Sequence, residues 1–341
     1  MRRRAAVLLG FALAWPVSAG APGALPSGAH PTPPSGSDVA FRLTATIPLP
    51  DVDGRIDHMT LDARRRRLFV AALGHRAIEV VDLAAARRVR EIGGWTEPQG
   101  VCYAPESDRL FVSDGSGRCA MLDGETLDVL REVRFGDDAD NVRYDAKARR
   151  LYVGYGDGGL GVIDAATGDS LGTIALSAHP EAFELSRRDA RAFVNVPGAR
   201  EVEVAERDRH EVVARWPLHD VAANFPMALD EAGQRLFVGC RKPARLLVLD
   251  SRTGVLLQSL PLGGDSDDLF FDAARGLLLA SGGEGVLEAY RTAGDRLTRV
   301  GRARTRDGAR TSLWVPEESK VYVAAPRRGG EPAAILVYEV P

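Results

Sequence analysis

Short apolar runs of a single design recur along this chain. RLFVAA starts at Arg67, RLFVSD at Arg109, RLYVGY at Arg150, RAFVNV at Arg191, RLFVGC at Arg235, GLLLAS at Gly276 and KVYVAA at Lys320. Their second residues (Leu68, Leu110, Leu151, Ala192, Leu236, Leu277 and Val321) are 42, 41, 41, 44, 41 and 44 positions apart. An unbroken apolar run of this length, bounded by turn residues, predicts a strand buried on both faces. Less apolar, alternating segments flank each run. Around the third copy they read DNVRYD before it, then LGVIDA and DSLGTIAL after it. This places one strand, A, before the central strand B and two more, C and D, after it. Turns of Asp, Ala, Gly and Arg separate them. A period in the low forties, with alternating rather than helical spacing, predicts an all-β fold: a seven-bladed β-propeller of four-stranded antiparallel blades.

The two ends predict how the ring closes. The last unit stops at AAILVYEVP, a strand C with no strand D after it. FRLTATIPL (Phe41 to Leu49) precedes the first unit and has no partner of its own. Pairing it beside residues 334–340 as an N-terminal velcro strand completes the last blade and removes a bare sheet edge. Residues 39–341 are thereby read as one propeller.

The strand B copies LFVAA, LFVSD, LYVGY, FVNVP and VYVAA are each followed by an apolar strand C that often ends in Asp. In these features the chain resembles the YVTN-repeat, or YncE-like, family of exported, WD40-like seven-bladed propellers. The resemblance implies the fold and an exported location. It is weak for function, because the fold hosts binding proteins, surface proteins and enzymes alike. The sixth copy has no aromatic residue in strand B, and units four, six and seven lack the Asp that ends strand C.

The first residues support export. Arg2 to Arg4, the apolar stretch Ala5 to Trp15 and the small residues of Val17 to Ala19 predict a signal peptide over residues 1–19. Eleven apolar residues fall short of the ~20 that a membrane span needs, so we expect a periplasmic or secreted monomer without a span. Residues 20–38, rich in Pro, Gly and Ser, predict a disordered linker. Formal net charge is −3, and removal of the leader leaves 41 basic against 47 acidic residues. Such a surface has no general attraction for nucleic acid. Cys102 and Cys119 fall in one unit with a strand between them, a separation of about twice 4.8 Å. That exceeds disulfide reach, and we expect these two and Cys240 to be free.

Strand A entries crowd the central channel, so aligning the repeats there predicts a site. One column reads Asp57, Gln99, Asp140, Glu181, Phe225, Asp267 and Thr311; the next reads His58, Gly100, Asn141, Ala182, Pro226, Asp268 and Ser312. The column after that, from Met59 to Leu313, is apolar throughout. Carboxylates gathered at one axis repel unless a cation, a basic ligand, raised pKa values or nearby arginines neutralise them. Asp57, His58, Asp140, Asn141, Glu181, Asp267 and Asp268 form a candidate set for Ca²⁺ or a similar hard divalent cation, and His58 also admits a transition metal. A polar channel that holds only water is the alternative. The B–C loops of the same face carry Arg76, Arg118, Arg200, Arg241 and Arg245. With Gln99 they make a candidate rim for a small polar molecule bearing a carboxylate or phosphate, or ordinary solvated loops. His179, before Pro180 in a D–A loop, is within reach of the mouth. The run Arg64 to Arg67 lies in an A–B turn on the opposite face, is too short for a nucleic-acid patch, and reads as a solvated hairpin.

No GxSxG, HExxH, Walker A or dinucleotide motif occurs. The leading expectation is an exported, non-catalytic binding or scaffold protein whose partner is a small polar molecule or another exported protein. One alternative is a metal-assisted, lactonase-like hydrolase with a divalent cation at the channel mouth. Another is an accessory protein of a periplasmic quinoprotein or redox enzyme.

Overall fold

Each strand B serves two neighbours at once, which is why it reads as a continuous apolar run. In the computed structural model, which describes residues 39–341, Leu68 and Val70 pack with blade seven while Phe69 and Ala71 pack with blade two. The same alternation holds round the ring, and seven apolar clusters fill the seven blade interfaces. Fully buried rings such as Phe69 and Phe237 each stabilise an interface by about 2–3 kcal/mol. The expected signal peptide and linker, residues 1–38, lie outside the described residues.

Six blades span residues 59–92, 98–134, 139–175, 183–217, 222–261 and 266–304, each with four strands in sequence order. The seventh joins Ser312–Val315, Lys320–Ala325 and Ala334–Glu339 to the N-terminal strand Arg42–Pro48. That strand runs antiparallel to the last one, with Arg42 opposite Glu339 and Pro48 opposite Ala334, so the ring closes as the chain ends predict. Strand A of every blade lies against the strands A on both sides, and blade seven meets blade one. Among the described residues no helix is long and apolar enough to cross a membrane.

The recurrent Asp at the end of strand C has a local cause. Asp82, Asp123, Asp164 and Asp250 each accept two backbone N–H groups of the following turn, at 2.8 to 3.1 Å. This Asx geometry fixes the C–D hairpin.

The A–B hairpins correct one expectation. Arg64 and Arg66 are exposed as expected, but Arg65 and Arg67 are half-buried rather than solvated. Fully buried Asp62 accepts the Arg65 backbone N–H at 3.1 Å, and the guanidinium groups of Arg65 and Arg67 at 3.0 and 2.9 Å. Arg64 and Arg65 also reach Asp108 of blade two, at 3.0 Å and 2.5 to 2.9 Å, and Arg66 reaches Glu318 of blade seven at 3.3 Å. The run clamps blade one to both neighbours.

All three cysteines are free. Cys102 and Cys119 occupy strands A and C of blade two with strand B between them. Burial pushes each of the three thiols up to about 12.

Candidate functional site

The polar column of strand A coincides with a break in each sheet. In blades two, three, five and six the A–B register slips between Pro98 and Val101, Ala139 and Val142, Asn224 and Met227, and Ser266 and Asp268. In blade one the Asp57 N–H donates to Ala71 O at 2.7 Å and the Ala71 N–H to His58 O at 3.0 Å. Blade four repeats this with Glu181, Asn195 and Ala182, at 2.9 and 3.1 Å. A bulge sets two residues against one and re-aims their side chains. The strand B residue at the bulge often secures the next blade. The Ser113 hydroxyl donates to the Asp140 carbonyl, Asn195 Nδ2 to Phe225 O at 2.9 Å, and Ser281 Oγ to Arg310 O at 2.7 Å. At Gly154 a Cβ would lie 3.0 Å from Pro180 of blade four, so the smallest side chain permits that approach.

These bulges bring carboxylates together with a few cations. Asp57, Asp140, Asp267 and Asp268 are all buried. Arg55 Nη2 lies 2.6 Å from Asp57 Oδ2. His58 bridges Asp57 Oδ1 at 3.6 Å and Asp268 Oδ1 at 3.4 Å, while Asp268 Oδ2 accepts the Ser312 N–H at 2.7 Å. Burial alone would lower the His58 pKa, but the charges of Asp268 and Asp57 outweigh it and hold the ring at about 10. His58 is therefore an imidazolium at neutral pH. Arg241 lies 3.8 Å above the Phe225 ring, donates Nε–H to Ser266 O at 3.0 Å and pairs with Asp267. Phe225, the one aromatic residue in the polar column, is the platform for this guanidinium. Arg310 pairs with Asp265 at 3.0 Å and approaches Asp267 at 3.9 Å.

Cations do not satisfy the whole cluster. Donor atoms of Asp140, His179 and Glu181 lie within 4.8 Å of one another. His179 Nδ1 is 2.7 Å from Gly156 O, and only an N–H can make that bond, so Nε2 is the ring nitrogen that this bond leaves unengaged. Burial, then the charge of Asp57, raises the Asp140 pKa against the pull of His58 and Arg55. Burial and the charges of Asp140 and Asp267 raise Glu181 further. Burial also raises Asp267, although Arg241 opposes it. Asp57 Oδ1, Asp140 Oδ1, Asn141 Oδ1 and Asp267 Oδ2 are buried without a hydrogen-bond partner. Every one of these is an acceptor, where buried polar atoms are normally paired.

No family model matches the chain, and no curated protein matches it in sequence. Among solved structures, hydrazine synthase of Kuenenia stuttgartiensis is similar over 84% of this chain and 96% of that one, with a TM-score of 0.74 and 16% identity. The likeness is one of fold.

Of the residues expected at the mouth, Asp57, His58, Asp140, Glu181, Asp267 and Asp268 share one electrostatic cluster. Asn141 is buried beside Asp140, with no hydrogen bond from its Oδ1. Gln99 stands at the edge and donates to Asp138 Oδ1 at 2.9 Å. Of the expected rim, Arg241 enters the cluster. Arg118 instead stacks on Trp95 at 4.2 Å and pairs with Glu132 at 3.1 Å. Arg76 and Arg200 are exposed at left-handed turn positions (φ 61° and 55°), and Arg245 is half-buried.

Arg55, Asp138 and Asp265 also belong to the site and were not among the expected residues. They precede Asp57, Asp140 and Asp267 by two positions, as His179 precedes Glu181. All four lie in the loops that lead into strand A, with Asp138 and Asp265 at left-handed positions (φ 38° and 55°). Strand alternation does not reach them, and their shared offset of two is the sequence signal that could have found them.

Proposed function

We propose that this protein is a non-catalytic binding propeller whose channel mouth takes a hard divalent cation, Ca²⁺ or similar. One observation carries the reading: Asp140, whose buried Oδ1 has no donor, stands with His179 and Glu181 so that one ligand atom of each lies within 4.8 Å of the others. A cation supplies what that oxygen lacks. Carboxylates also outnumber cations here: Asp57, Asp138, Asp140, Glu181, Asp267 and Asp268 face Arg55, His58 and Arg241, with Arg310 and Asp265 paired to each other. Asp140 and Glu181 would supply oxygens and His179 its Nε2, oriented by the Gly156 carbonyl as ligand histidines commonly are. An oxygen-rich set with one imidazole suits Ca²⁺ or Mn²⁺.

The YVTN-like strands and the basic-apolar leader support an exported role, to be checked by fractionating cells that express the full chain. The test of the site is calorimetry and thermal unfolding of chelator-treated protein with Ca²⁺ and Mn²⁺. Binding should raise the melting temperature by linkage. Asp140→Asn combined with Glu181→Gln should abolish the rise without lowering the metal-free melting temperature. If neither ion raises it, or the double variant still responds, the mouth is a water-filled polar channel.

A further inference from the structure

Strand C carries buried glutamates at a position where most blades have none. Glu79, Glu203 and Glu288 stand opposite Val70, Val194 and Ala280 of their own strands B and are at most 1% exposed. The corresponding residues of the other blades are Ala120, Gly161, Leu247 and Leu336, so the fold does not require a carboxylate there. Glu288 is saturated: Oε2 accepts the Gly263 N–H at 2.8 Å and the Tyr290 hydroxyl at 2.9 Å, and Oε1 accepts Arg299 at 2.8 Å. Glu203 has one free oxygen, but its other oxygen accepts Arg215 Nε–H at 2.9 Å and the Ser177 N–H at 3.2 Å, and no histidine pairs with it.

Glu79 differs from both. Its Oε2 accepts Arg88 at 3.2 Å, while Oε1 is buried and unpartnered. That free oxygen lies 4.0 Å from His75 Nε2, which is itself 3.4 Å from Glu91 Oε2. The ligand atoms of the three residues fall within 4.8 Å of one another. A 3₁₀ turn, Leu73–His75, closed by Arg76 in the left-handed region, sets His75 at the start of strand C.

We propose that His75, Glu79 and Glu91 form a metal site for a borderline divalent ion such as Zn²⁺, sharing no residue with the mouth. Tetrahedral ligands at 2.0–2.1 Å from one ion stand roughly 3.3 Å apart, so the 3.4 and 4.0 Å separations require little closure. Glu91 is half-exposed and free to supply it. Arg88, 3.6 Å from Glu91, would release that residue and keep its bond to Glu79 Oε2, an outer-shell partner that orients the ligand. Three protein ligands leave a fourth position open. Lacking the further carboxylates whose charges raise Asp140 and Glu181 at the mouth, this set falls short of the roughly six to eight oxygens that Ca²⁺ takes.

The test is Zn²⁺ calorimetry and Co²⁺ absorption spectroscopy on the chelator-treated full chain. One equivalent of Zn²⁺ should bind and raise the melting temperature, and Co²⁺ should give the visible bands of a four-coordinate site. His75→Ala and Glu91→Gln, both at partly exposed positions, should each weaken Zn²⁺ at least tenfold with the metal-free melting temperature retained. The Asp140→Asn, Glu181→Gln variant should bind Zn²⁺ like the wild type. Failure of the wild type to bind would overturn the proposal. So would unchanged affinity in both rim variants, or loss of Zn²⁺ in the mouth variant alone.

Discussion

Buried aspartates meet arginines on both faces of this ring, with opposite results. On the A–B hairpin face they are fully matched. Asp62 has Arg65 and Arg67, Asp230 accepts the Gly233 N–H at 2.8 Å and Arg235 at 2.6 Å, and Asp272 accepts the Arg275 N–H at 3.0 Å and its guanidinium at 2.6 Å. Burial alone would raise Asp62 and Asp272, but these hydrogen bonds hold both below the ordinary carboxylate value. At the mouth burial wins, and Asp140, Glu181 and Asp267 are raised. The difference lies in where the partners come from. A hairpin aspartate finds its arginine within five residues on the same turn. A mouth carboxylate meets the equivalent residues of other blades, so rotation of a repeat sets like against like. Matched acids stabilise the fold; the mouth acids, set against one another, oppose it.

The largest effect expected from this contrast is at Asp62. Asp62→Ala leaves Arg65 and Arg67 without a buried partner and should cost about 3 kcal/mol, read by denaturant unfolding. A loss below about 1 kcal/mol would show that the hairpin pairs are ornamental and would erase the distinction. Next comes pH, where the two faces should have opposite signs. Asp62 and Asp272 have lowered folded pKa values, so their contribution is present above about 4 and is lost as pH falls through the folded values. The mouth acids have raised values, so they destabilise progressively as pH climbs from about 4 through those values. His58 adds to the same trend: its stabilisation is complete below its unfolded value of about 6.5 and is lost as pH rises through about 10. Metal-free protein should therefore lose stability from pH 5 towards 9, and Asp140→Asn with Glu181→Gln should flatten that slope. A wild-type profile that rises over this range would contradict the assignment of the raised acids.

A smaller effect separates the two faces at fixed pH. In metal-free protein at pH 7, the same double variant should be neutral or gain up to about 1 kcal/mol, because it removes repulsion rather than a pair. A loss of more than 1 kcal/mol would mean that the mouth acids hold structural donors. The smallest is Arg64→Ala. Its guanidinium is largely exposed, though it touches Asp108, and the change should stay within about 0.5 kcal/mol by thermal unfolding. A larger loss would extend the matched network to the surface of the hairpin.

The sequence by itself determined the blade number, the closure and the column that lines the mouth. Those properties are periodic or local: strand B must be apolar on both faces, a strand D is missing at one end and spare at the other, and Asp57, Asp140 and Asp267 recur at one repeat position. Tertiary structure decided which acids are neutralised. Nothing in the order of residues shows that Arg241 lies over Phe225 to reach Asp267 in the next blade, or that His58 sits between Asp57 and Asp268. Nor does it show that Arg65 reaches Asp108 across a blade boundary, so a run of arginines that reads as solvated proves to hold two half-buried clamps, Arg65 and Arg67. The reason is physical. Period and burial follow from backbone geometry, repeated along the chain, whereas pairing between blades joins residues 26 positions apart for Arg241–Asp267, 43 for Arg65–Asp108 and 210 for His58–Asp268, which meet only when the blades pack together.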